Sequence, residues 1–301
     1  MKTETIKTTF FWAIVITIIV TACKGPDKAT PAPASPTGYL MFHLHSDATD
    51  SVQGSDYNPT PYTTAVDATG RLLRIDTSQL LISNIQLINS SGGVVYTVPN
   101  QILFKVPLTE PYYIGQVPVG EFTAVKYYVG LDSAVNASVP NASDSALYNN
   151  TSMYYGGGSN PQPGGYTFIY FSGYIDTTTG ATASQSHWDG TGTPPTGFAH
   201  FSYKIGGNKN LITITLPTNP SNASGEYVVV VGQTTFVHQI INYYKIFFTA
   251  GFPINVDANL TISPSYPNPT ITKLILNNII TGDGLGHPTN ENWYYEQGNL
   301  N

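Results

Sequence analysis

Gln79-Leu80-Leu81-Ile82-Ser83-Asn84-Ile85-Gln86-Leu87-Ile88 reads as a β-strand, and it decides the fold class. By strand alternation Leu81, Ser83, Ile85 and Leu87 share one face. Leu80, Ile82, Asn84 and Gln86 share the other. Ser90-Ser91-Gly92-Gly93 then turns the chain into Val94–Val98, which makes a hairpin by spacing and turn chemistry.

The same pattern continues on both sides. Upstream, Tyr62–Val66 and Arg71–Ile75 are short strand candidates around the turn Asp67-Ala68-Thr69-Gly70. Downstream, Gln101–Val106, Tyr112–Gln116 and Glu121–Gly130 follow. The inward set of the last is Phe122, Ala124, Lys126 or its neighbour, and Val129, because the alternation slips near Tyr127. Gly165–Ile175, Phe198–Ile205, Leu211–Leu216, Tyr227–Val231 and Phe236–Asn242 are further strands. Tyr243–Phe248 reads as a short helix or the end of the preceding strand. Residues 132–163 and 176–196 are long polar insertions, and Thr270–Ile280 reads as a terminal helix. About ten to twelve strands with little helix predict an all-β protein, an antiparallel β-sandwich with long loop insertions. No repeat or composition shift marks a second domain.

The chain has 301 residues, a formal charge of −6 and only 10% charged residues. Its basic residues are scattered, which argues against nucleic acid as a partner. Tyr, Gly and Pro are abundant, as in exported β proteins. Met1–Lys7 is a charged leader and Phe10–Val20 a short apolar run. Val20-Thr21-Ala22-Cys23 resembles a lipoprotein processing site, so residues 1–22 read as a signal peptide and Cys23 as the lipidated residue. Cys23 is the single cysteine, so no disulfide is expected. Residues 23–37, rich in proline and alanine, read as a flexible tether, 38–280 as the domain, and 281–301 as a loosely ordered polar tail. This predicts a protein anchored by lipid to a bacterial membrane, periplasmic or surface-exposed.

Gly38-Tyr39-Leu40-Met41-Phe42-His43-Leu44-His45-Ser46-Asp47 is the first strand after the tether. His43 and His45 would stand on one face while Phe42 and Leu44 pack on the other. His238 lies in a late strand with Phe236 and Ile240 on its face. If the last strands pair with the first, His43, His45 and His238 form a three-imidazole set without thiolate, which suits copper or zinc. Met41 and Met153 are the available thioethers. The competing reading is ordinary surface or half-buried histidines. Asp47, Asp50 and Asp56 lack a calcium-loop spacing and read as a solvated loop. His187, Trp188 and His287 fall in polar segments, and His200 reads as structural. Gly156-Gly157-Gly158 precedes no helix and is not a phosphate cradle. There is no G-x-S-x-G, P-loop, H-E-x-x-H or cysteine pair, so no catalytic signature is present.

Several segments taken in order carry a resemblance. They are Arg71-Leu72-Leu73-Arg74, Gln79–Leu87, Ile114–Lys126 and Val129-Gly130-Leu131-Asp132, followed by Met153-Tyr154-Tyr155-Gly156, Gly165-Tyr166-Thr167-Phe168 with Gly173, and Phe201–Gly206. Together they resemble the MbnP-like copper-binding family from about Gly38 to Ile280. The resemblance implies an exported, non-catalytic copper-binding β-sandwich. Some members work beside a di-haem peroxidase-like partner that converts a tryptophan to kynurenine. Many relatives have Met-Tyr-Trp where this chain has Tyr155 last, and Tyr-His-Ile-Gly where it has Lys204. A protonated lysine is a poor ligand. On this reading copper is preferred to zinc, and the ligands fall to His43, His45 and His238. The alternative is a metal-free cell-surface binding or adhesion module, for which low charge and high tyrosine content are suited.

Overall fold

The long strand is where the alternation meets the backbone. A computed structural model describes residues 35–47, 63–67, 69–106, 109, 111–155, 165–178, 192–217, 227–242, 246–247, 254–256, 258–263, 265–281 and 293–294. Its strands are β1 (Thr37–Asp47), β2 (Thr63–Val66), β3 (Leu72–Ile88), β4 (Val94–Thr97), β5 (Ile102–Lys105), β6 (Pro111–Pro118), β7 (Gly120–Phe122), β8 (Ala124–Val129), β9 (Thr167–Asp176), β10 (Phe198–Gly206), β11 (Ile212–Pro217), β12 (Tyr227–Val229), β13 (Thr234–Asn242), β14 (Thr261–Ile262) and β15 (Trp293–Tyr294). Residues 1–35 fall into a separate unit from 36–301, and the description below concerns the second. Cys23 and the other residues before Ser35, expected to be leader and tether, together with Asp50, Asp56, the Gly156–Gly158 run, His187, Trp188 and His287, lie outside the described residues.

The sequence predicts separate strands at Arg71–Ile75 and Gln79–Ile88. The structure joins them in one 17-residue strand, β3, which two bulges keep in register with its partners. Asp76 is the extra residue opposite Gly173 and Ser172, and Ser172 Oγ donates to Asp76 Oδ1 at 2.8 Å. The second bulge lies between Ser83 and Gln86, where Asn84 takes φ of 51°. One extra residue flips the alternation. Ile82, Ile85 and Leu87 therefore all belong to the buried face carrying Val125 and Val129, and the expected separation of Ile82 from Ile85 does not hold. In β8 the inward set is Val125, Tyr127 and Val129. Lys126 faces outward, since the chain breaks at Thr123 between β7 and β8.

The protein is mostly β, with a curled, mixed half-barrel sheet and smaller sheets. The large sheet runs β11-β8-β3-β9-β10-β14, with β2, β4 and β5 also on β3. The four-stranded sheet runs β15-β13-β1-β6, and β7 pairs with β12. The pairing is not purely antiparallel: β1 with β13, and β10 with β14, are parallel. β1 is the first strand and β13 lies far along the chain, and so long a crossover can return the chain in the same direction. The two main sheets share one core. Phe42 of β1 meets the Tyr127 ring of β8 at 5.6 Å, and both are fully buried.

Asp67 holds a connecting turn. Its Oδ1 accepts from Thr69 N, Thr69 Oγ1 and Arg71 N at 2.8, 2.6 and 3.1 Å, and its Oδ2 accepts from Val256 N at 3.3 Å. These bonds satisfy a carboxylate with no solvent exposure. The expected terminal helix spans Pro269–Thr281. Asn268 caps it, its Oδ1 accepting from Ile271 N at 3.1 Å, and Pro269 occupies the first helical position. Ile271, Ile275, Leu276 and Ile279 form the buried stripe. Part of the polar tail joins the fold, because Trp293 and Tyr294 pair with Ile241 and Ile240 of β13.

Candidate metal centre

β1 and β13 each divide into a core set and an outer set. Leu40, Phe42 and Leu44 are buried, as are Thr235, Val237, Gln239 and Ile241. Tyr127 Oη donates to Gln239 Oε1 at 2.5 Å, which ties the two sheets together inside the core. Tyr39, Met41 and His43 belong to the other set and are half-buried.

The parallel register pairs His43 with His238, Leu44 with Gln239, and His45 with Ile240. Positions 43, 45 and 238 therefore belong to the same outer set by alternation, next to one another on two neighbouring strands. The condition for the three-histidine reading, that a late strand pairs with the first, is met by the backbone. On its other side β1 pairs with β6, with His43 opposite Pro111 and Met41 opposite Tyr113. The Tyr39 and Tyr113 rings meet at a tilt of 46° with centroids 6.4 Å apart. Among the described side chains, which include His43 but not His45 or His238, no three His, Cys, Asp or Glu groups meet. Of the two thioethers, Met41 lies one alternate position from His43, whereas Met153 is buried in the core.

Lys204 and Tyr155 lie elsewhere in the fold. Lys204 lies on β10, opposite Tyr170 of β9, with its ammonium 4.7 Å from the centre of the Tyr170 ring. Hydrogen bonds with Ser263 and Ser265, and more weakly the Lys204 charge, hold the Tyr155 phenol below its ordinary value. A cation over an aromatic face beside a hydrogen-bonded phenol offers no free lone pair from nitrogen, so this pair does not suit a metal. His200, expected to be structural, is exposed and meets Tyr174 edge-on at 5.2 Å. The Tyr127–Gln239 link escapes a reading of the sequence because 112 residues separate its partners. A glutamine within an apolar strand was the available signal.

The geometry thus defines a mostly β protein with a parallel pair of histidine-bearing strands at one sheet. The chain belongs to the MbnP family, whose model matches residues 38–264. Among solved structures it is similar to MbnP from Methylosinus trichosporium, with 12% identity over 68% of this chain and 76% of that chain and a TM-score of 0.35. No curated protein matches it.

Proposed function

We propose that this protein is an exported, lipid-anchored, non-catalytic copper-binding protein whose ligands are His43, His45 and His238. Family membership supports the metal, and the register of His43 against His238 is the observation that carries the choice of ligands. Neutral imidazoles are good donors to copper, and zinc is the less favoured ion. His43 and His45 on one strand and His238 on the next need no loop to be recruited, so the sheet itself would preorganise the donors. Copper would supply redox or carrier chemistry. The chain's residues would bind and orient the ion. Residues 1–22 act as the signal peptide, Cys23 carries the lipid, 23–37 form the tether and 38–280 the binding domain. A di-haem peroxidase-like protein is the proposed partner.

The test is a copper titration of the chain from Lys24 onward, followed by absorption and electron paramagnetic resonance. The triple variant with alanine at 43, 45 and 238 loses tight binding. A triple variant that binds as tightly as the parent overturns the site. For the anchor, Cys23→Ala moves the full chain from the membrane fraction to the soluble fraction.

A further inference from the structure

The curl of the large sheet leaves a seam. β10 and β11 are consecutive in the chain, yet β10 pairs with β9 and β14 while β11 pairs with β8. A 3₁₀ turn at Asn208–Asn210 links them, and the helix Pro269–Thr281 borders the gap. A cleft of about 850 Å³ opens there. This volume lies in the range of sites for small organic ligands, about 300–1,000 Å³.

Two properties of the lining stand together. Ile205, Ile212 and Ile262 are buried apolar members, while Lys204, Lys209 and Lys273 are three lysines among the lining residues. Among the described residues no carboxylate lines the cleft. The whole chain has 12 basic residues against 18 acidic ones, so three lysines in one concavity depart from the protein's average charge. Among the described residues none of the three has a carboxylate partner, and Lys204 rests on the Tyr170 ring. Like charges gathered at a concave, partly apolar surface repel one another, and an anion relieves that repulsion. The apolar members give such an anion's hydrocarbon body a place to leave water.

We propose that this seam cleft binds an organic carboxylate with an apolar body, its head group at the lysines and its body against the isoleucines. The site is formed by β10, β11, β14 and the terminal helix and uses none of the three histidines. It stands or falls separately from copper binding.

The probe is laurate, read by displacement of 8-anilinonaphthalene-1-sulfonate fluorescence from the chain beginning at Lys24. Laurate displaces the dye with saturable behaviour, and dodecanol and citrate, which each keep only half of the chemistry, compete at least about tenfold more weakly. Lys204→Gln with Lys273→Gln weakens laurate by about tenfold or more, and raising salt weakens it as well. Lys126→Gln, on β8 outside the cleft, leaves it unchanged. Thermal unfolding of each variant checks the fold, and Lys204→Arg with Lys273→Arg restores binding by keeping the charge. The proposal is overturned if the folded glutamine variant binds laurate like the parent. Equal competition by dodecanol or by citrate overturns it too, since one removes the need for the anion and the other the need for the apolar body.

Discussion

Tyr127 and Gln239 show what a single buried contact demands. Both side chains have no solvent exposure, and their hydrogen bond joins β8 to β13. The amide nitrogen of Gln239 has no hydrogen-bond partner among the described residues, so the glutamine already lies at the limit of what its setting tolerates. Tyr127→Phe removes the donor to its oxygen and costs about 1–3 kcal/mol in denaturant unfolding. Adding Gln239→Met recovers much of that loss, because removing both ends of this hydrogen bond leaves neither end unsatisfied. Burial also pushes the Tyr127 phenol well above its ordinary value, and Tyr203 is raised by burial and by the Asp67 charge. A raised folded value means the contribution to stability is complete below the unfolded phenol's value near 10 and is lost as pH rises past it. Alkaline unfolding should therefore begin above about pH 10, with stability falling by about 1.4 kcal/mol per pH unit for each phenol that ionises only on unfolding. Absorbance at 295 nm against circular dichroism checks this, and Tyr127→Phe flattens the fall.

At the scale of the element, β3 depends on Asn84. A residue at φ of 51° inside a strand is uncommon, and asparagine is among the few side chains that accept it. The bulge there brings Ile82, Ile85 and Leu87 to one buried face, and beside it Ser83 Oγ donates to the Gly130 carbonyl at 2.6 Å. Asn84→Val forces a β-branched residue into the left-handed region and lowers stability by about 1–2 kcal/mol, whereas Asn84→Gly stays within about 0.5 kcal/mol. Equal losses for valine and glycine in chemical denaturation would show that the backbone conformation is not what matters. At the other bulge the constraint is space: a Cβ on Gly173 of β9 would collide with the Arg74 carbonyl. The strand itself was legible from alternation and turn residues. Its bulges were not, because a bulge is defined only by the partner strand that opposes one residue with two.

For the whole molecule, the proposed copper site would link metal binding to the fold through one sheet. An ion that binds only the folded chain raises the unfolding temperature by mass action. Copper should therefore raise it in the parent and not in the triple histidine variant. An equal rise in both proteins would show that copper acts elsewhere. The histidine spacing on β1 and the apolar faces of the strands were present in local sequence, as were the cap and stripe of the terminal helix. These depend on residues a few positions apart, so propensity and periodicity suffice. The partnership of His43 with His238 was readable only as a condition. It required β13 to return parallel to β1 across nearly the whole domain, against an expectation of antiparallel pairing. The seam with Lys204, Lys209 and Lys273 was not readable at all. Local sequence determined which segments became strands and helix and which residues could donate to a metal. Only the tertiary structure decided which strands met, how far the sheet curled and which lysines came to line one cleft. The reason is that pairing and closure arise from contacts between segments far apart in the chain, and local periodicity carries no information about those contacts.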